Sequence, residues 1–224
     1  MFKTIKILDP KIHNFYRYTA ATDFYCAKSL TLIPITFSEI KLLCCEYPIV
    51  IIMQEEKPSL MLLTGVSENG AIDEKGAWRG SYIPAFLRRY PFTLVEDAPS
   101  ETHHIGFDLE SGLFSSPEGQ ALFNADGTAS SALEAVKQLL TIFQQESQIT
   151  QNILMRMMEK DLLTASEFTL QKENEEAKKI NGFFTINKKR LFELENDFLI
   201  EVLQNGWMEM IELQQLSLKN IKNI

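Results

Sequence analysis

The stretch "WRGSYIPAFLRRYPF", Trp78 to Phe92, sets prolines at 84 and 91 and so limits what can lie between them. A helix tolerates proline only in its first turn, where the missing N–H would have had no partner. The residue before a proline is pushed out of the helical region. The spacing therefore predicts a two-turn helix over Tyr82–Arg89, stopping before Tyr90, with Ile83, Phe86, Leu87 and Tyr90 along one side and Arg88 and Arg89 pointing elsewhere. A helix this short is unstable alone, so tertiary packing must hold it. "FTLVED", Phe92–Asp97, then reads as a strand, with "HHIGFDL", His103–Leu109, as its antiparallel partner.

Upstream, "FYCA" (Phe24–Ala27) and "LTLIPIT" (Leu30–Thr36) read as short extended pieces. "FSEIKLLCCEY" reads as a short helix capped by Ser38, with Ile40, Leu43 and Cys44 on one face, and Pro48 ends it. "IVIIM", Ile49–Met53, is a continuous β-branched run, the mark of a strand buried on both faces. "SLMLLTGV" is its partner, with the turn at Lys57-Pro58, and Asn69-Gly70 signals a hairpin. From Ser130 the pattern changes. Leu133, Val136, Leu140, Phe143, Leu154 and Met157 keep helical spacing from Ser131 to about Lys160, around a polar middle, "QQESQITQ", that signals exposure or a kink. "FTLQKENEEAKKINGFFTIN" reads as a hairpin whose loop "KENEEAKK" is a solvated charged run, followed by short helices to Gly206 and a terminal helix from Trp207. The expected fold class is α+β: a β-rich N-terminal half with short helices, then a largely helical part containing a β-hairpin. One domain over residues 1–224 is expected, β-rich to about 128 and helical from about 129.

A net charge of -8 argues against nucleic acid, whose phosphates need a clustered basic surface. No apolar run approaches the roughly 20 residues of a membrane span. The start, "MFKTIKILDPKIHNFYR", lacks the plan of a Sec signal, so a cytoplasmic location is expected, with the cell surface through a non-Sec route as the alternative. Three cysteines, two of them adjacent at Cys44 and Cys45, do not make a disulfide framework.

Candidate chemistry concentrates at the two-proline stretch. Arg88 and Arg89 are suited to a phosphate or carboxylate. The plainer reading pairs them with Glu96, Asp97 or Asp108 while their stems cover apolar surface. Trp78, Tyr82, Phe86, Tyr90 and Phe92 fit a pocket wall or, more simply, a core. His103 and His104 face opposite sides of a strand and do not make a metal site, although Asp108 could share the His104 face. Cys44 and Cys45 have no identifiable base, "GAWRG" is not a phosphate loop, and "DLESGLFSSPEG" does not match a calcium loop. No catalytic residue, metal site or cofactor is expected. The binding candidates are Trp78, Tyr82, Arg88, Arg89 and Tyr90, as the rim of a binding surface on a structural corner.

The same stretch resembles the hallmark segment of the SapC family: a Trp, then Tyr-Ile-Pro-Ala, a basic pair and Tyr-Pro-Phe. "LTLIPITFSEIKLLCCEYPIVI", "FDLESGLFSSPEGQALFNADG" and "INGFFTINKKRLFEL" are similar to further family segments in the same order, with Cys44-Cys45 standing where small residues are usual. The resemblance carries no agreed activity and no catalytic residues. It implies an accessory role with a bacterial surface-layer or protein-export component as partner; a homo-oligomer is compatible with it. The leading alternative is a small-molecule or peptide-binding module that assists a modifying enzyme, and an uncharacterised enzyme is the third reading.

Overall fold

Ile49, Val50 and Ile51 are fully excluded from solvent, as a continuous apolar run requires. The computed structural model, which describes residues 1–97, 102–114, 118–170 and 178–224, places them in the middle strand of a five-stranded sheet. In chain order the first elements are β1 (Ile5–Ile7), α1 (Pro10–His13), β2 (Arg17–Tyr18), β3 (Leu32–Pro34), α2 (Ile40–Leu43), β4 (Ile49–Gln54) and β5 (Lys57–Leu63). Then come α3 (Ala85–Arg88), β6 (Phe92–Asp97), β7 (Thr102–Asp108), β8 (Gln120–Ala121) and α4 (Ser131–Glu159). The chain closes with β9 (Leu163–Leu170), β10 (Lys178–Ile186), α5 (Lys188–Leu191), α6 (Asn196–Gln204) and α7 (Trp207–Ser217). This is the expected α+β arrangement, and no helix among the described residues is long and apolar enough to cross a membrane.

The chain forms two compact units. Unit 1 takes Met1–Ala27, Ile72–Trp78 and Ala85–Gln144. Its three-stranded sheet has the order β1-β7-β6, antiparallel throughout, with Ile5 opposite Asp108 and Phe92 opposite Phe107. Phe92, Phe107, Leu122, Leu133 and Leu140 form its buried core, joined by Tyr16, Tyr18 and Phe114. Unit 2 takes Lys28–Ala71, Arg79–Pro84 and Gln145–Ile224. Its sheet has the order β3-β5-β4-β10-β9, so the late hairpin joins the early one where Phe184 meets Ile51. One cluster there gathers Val50, Met61, Leu63 and Phe183.

Several local expectations give way to competing chemistry. Tyr25–Ala27 forms a 3-10 turn rather than an extended piece, begun by Asp23, whose carboxylate accepts the Tyr25 N–H at 3.1 Å. Thr36, not Ser38, caps the 3-10 turn Phe37–Glu39 that leads into α2: Glu39 reaches back to accept the Thr36 N–H at 2.9 Å, the reciprocal bond of a T-x-x-E capping box. The β4–β5 turn falls on Glu55 and Glu56, with φ of 49° and 66°, so Lys57 already pairs with Gln54. That is the left-handed pair a two-residue hairpin turn needs. Asn69-Gly70 is not a hairpin turn. Asn69 is buried and its side chain accepts the Ala71 N–H at 3.0 Å. Helix α4 runs unbroken for 29 residues through its polar middle. There Thr150 is buried, with its hydroxyl accepting the Phe37 N–H and donating to the Glu146 carbonyl, both at 2.7 Å. The "KENEEAKK" loop lies outside the described residues except at its end.

The helix between the prolines is one turn, Ala85–Arg88, not two. Pro84 precedes it instead of entering it, so only the residues after the ring are helical. Leu87 is fully buried and Phe86 half-buried, so the core contact of this turn is Leu87. Leu87→Ala should lower unfolding stability by about 2–5 kcal/mol, the usual cost of emptying a tight site, and Phe86→Ala by less. Urea denaturation of the two variants measures this; a Leu87→Ala protein with the wild-type midpoint would contradict it.

Candidate functional site

The residues around α3 divide by chemistry. Tyr90, just after the helix, is buried, and its hydroxyl donates to Asp108 Oδ2 at 3.0 Å. Asp108 has no solvent exposure and accepts three backbone N–H groups as well: Lys3 at 3.2 Å, Thr4 at 3.0 Å and Glu110 at 3.3 Å. Burial alone would raise this carboxyl. The N–H donors from Thr4 and Lys3, the Tyr90 hydroxyl and the Glu110 N–H outweigh it and hold the group below its ordinary value. Burial, then the bond to Asp108, pushes the Tyr90 phenol up, so it stays a donor.

In unit 2, Tyr82 does a parallel job. Its hydroxyl donates to Glu39 Oε1 at 3.0 Å, and Glu39 is buried. Beside it, the Ser81 N–H donates to Glu46 at 3.0 Å, and the Ser81 hydroxyl donates to the same carboxylate.

Arg89 is placed differently. Its guanidinium carbon lies 4.8 Å from the Phe86 ring centre, 5.1 Å from Phe143 and 5.4 Å from Phe2. Nη1 donates to the Thr93 hydroxyl at 2.9 Å, while Nε is buried with no hydrogen-bond partner. The Phe2 ring also meets Tyr90 edge-on at 5.3 Å, so Arg89 and Tyr90 share a wall. Among the described residues Arg89 forms no ion pair: Glu96 does not reach it, and Asp108 is occupied as above. Burial pulls the guanidinium down to about 10. The expectation that it would point away from the helix's packed side therefore fails. Arg156 in unit 2 makes the contrast plain. It also lies over an aromatic ring, Phe198 at 5.6 Å, but it holds Glu201 with Nε and Nη2, both at 3.0 Å, and Glu159 at 3.1 Å.

Of the remaining candidates, Arg88 is exposed, and Trp78 is half-buried in a lone bridge to Ile72. The loop under that bridge turns at Gly76, whose φ of 81° and approach to Tyr25, 2.7 Å from an added Cβ, leave no room for a side chain. Trp78, Arg88, Arg89 and Tyr90 lie in unit 1 and Tyr82 in unit 2. His103 and His104 are both exposed, whereas Asp108 is buried, so the His104–Asp108 pairing does not form a site. Burial raises the Cys26 and Cys44 thiols, and the Cys45 contact at 3.9 Å raises Cys44 further, the opposite of nucleophile activation. No group of three His, Cys, Asp or Glu among the described residues could hold a metal ion.

Phe2, Phe143 and Thr93 were not among the sequence candidates. No local pattern marks them, because the cage is built from the N-terminus, β6 and α4 around one arginine. Glu39 did carry a signal, the T-x-x-E spacing from Thr36.

The Asp108 geometry fixes a pH dependence. A carboxyl held lower in the folded than in the unfolded chain stabilises the fold above its unfolded value of about 4, and that contribution is lost as pH falls through the folded value. Asp108→Asn cannot accept from all four donors, so it should cost about 1–3 kcal/mol near neutral pH and flatten the acid limb of the stability curve. Denaturant melts between about pH 7 and about pH 3 test this; an unchanged acid limb would contradict it.

No curated protein and no solved structure matches the chain significantly. The family model of SapC matches residues 8–224. That span takes in α1 and every later element, the Arg89 turn among them, and leaves out β1. The chain belongs to the SapC family.

Proposed function

We propose that this protein is a non-catalytic accessory or binding protein that works with a surface-layer or protein-export component, and that Arg89 receives an acidic group of that partner. The observation that carries the reading is the largely buried Arg89 guanidinium, which among the described residues has three aromatic rings and one hydroxyl around it but no carboxylate. A cation removed from water without a counter-charge costs stability. The three rings offset part of that cost, since desolvated cation–π contacts are worth about 2 kcal/mol. An incoming carboxylate or phosphate would supply the rest through the guanidinium's remaining donors. The neighbouring tyrosine is engaged in holding the fold, and the Cys26 and Cys44 thiols are raised rather than activated, which supports binding over chemistry.

The same reading places the protein in the cytoplasm, where it would meet its partner before export. Arg89→Met keeps the apolar stem and removes the charge. It should melt within a few degrees of wild type, yet fail to capture the surface-layer or export component that the wild type captures from the native host. Capture by Arg89→Met equal to wild type, or wild-type capture of no such component, would refute the proposal.

A further inference from the structure

Unit 2 holds an open cleft of about 490 Å³ where the hairpin β9–β10 runs into α5, within the volume range of small-molecule sites. Thr164 and Thr185, paired across the two strands, bring hydroxyls to it, that of Thr185 already sharing a hydrogen bond with the Ser166 hydroxyl at 2.8 Å. Gln215 brings a carboxamide whose Nε2 is fixed by the Ile186 carbonyl at 2.6 Å and by Gln214 at 3.0 Å. Asn187 lines it too, its Oδ1 engaged by the Arg190 N–H at 3.1 Å, so its amide N–H₂ is the end left to donate. Phe192 lies along the cleft with 62% of its surface exposed. Lys188 is neutralised by Glu212 at 2.5 Å, while Lys189 is exposed and forms no ion pair among the described residues. No acidic residue is among those lining the cleft, although acidic residues outnumber basic ones 30 to 22 in the chain.

These groups select a ligand class. Hydroxyls and amides in number call for a ligand that bears many hydroxyls, since polar groups covered and left unpaired cost affinity. One exposed aromatic face suits the apolar face of a saturated ring. A flat aromatic acid would use that face but leave unmet the Thr164 hydroxyl, the Asn187 amide N–H₂ and Gln215 Oε1, which have no partner among the described residues. One free ammonium suits a single negative charge; a polyanion would need several. We propose that the cleft binds a pyranose carrying one anionic group, a sugar acid or a sugar phosphate, with its ring on Phe192, its anion at Lys189 and its hydroxyls at Thr164, Thr185 and Gln215. This site shares no residue with the Arg89 cage.

The test is a backbone-amide NMR titration of the intact protein with glucuronate, glucose 6-phosphate and glucose. At least one charged sugar should bind saturably, about tenfold or more tighter than glucose, with the largest shifts at residues 187–192. Glucuronate alone identifies a carboxylate site, and glucose 6-phosphate alone a phosphate site. Lys189→Glu should erase the advantage of the charged sugar and Phe192→Ala should weaken binding. Both positions are exposed, so both variants should fold. Arg89→Met should bind like wild type, which separates this site from the proposed partner contact. Absence of saturable binding by either charged sugar, or binding unchanged in both cleft variants, would overturn the proposal.

Discussion

A carboxylate that no water reaches has to be met by donors, and in unit 1 the donors that meet Asp108 decide where three parts of the chain go. Two come from the N-terminal lead into β1, one from the turn after β7, and one is the Tyr90 phenol. The same residue pairs with Ile5 in the sheet register, so the side-chain bonds and the β1–β7 ladder enforce one alignment. An ionised carboxylate stripped of water is costly unless several hydrogen bonds replace the hydration. Removing a single donor therefore weakens more than one contact. Unit 2 repeats the device with Glu39, which joins the Thr36 cap to the Tyr82 phenol.

The two tyrosines of the stretch between Trp78 and Phe92 thus serve the fold, and its second arginine completes no such network among the described residues. Arg89 keeps its charge among rings, with burial pulling its pKa down to about 10. Arg156 shows what a satisfied arginine looks like in this protein: an aromatic neighbour and a two-pronged carboxylate. A stability device would have been completed the same way. The contrast is why recognition is proposed for Arg89, while the hydrogen bonds of Tyr82 and Tyr90 hold the fold.

Much of the fold was legible because it rests on periodicity. The β-branched run at Ile49–Met53, the β6–β7 pair and the spacing from Leu133 to Met157 each follow from apolar pattern. The errors fall where a short polar side chain competes with that pattern. Thr36 outcompeted Ser38 because Glu39 reaches back to its N–H, and Asn69 turned inward to bond its own backbone rather than turn a hairpin. The helix between the prolines was overestimated because Pro84 was placed inside it. The candidate site was legible only in part. Arg89 and Tyr90 stand in a dense motif, but Phe2 and Phe143 reach Arg89 only through tertiary folding, and Asp108 read as one acid among several. The cleft residues Lys188 and Lys189 stand in a short basic run that no local pattern marks as a site, because a strand end and a distant helix supply the other walls.

Native-state hydrogen exchange compared between Tyr90→Phe and Arg89→Met tests the division of labour most directly. The account predicts that Tyr90→Phe, by taking one donor from Asp108, speeds exchange at the Lys3, Thr4 and Glu110 amides, while Arg89→Met leaves those amides protected as in wild type. Faster exchange at the three amides in Arg89→Met, or unchanged exchange in Tyr90→Phe, would contradict it.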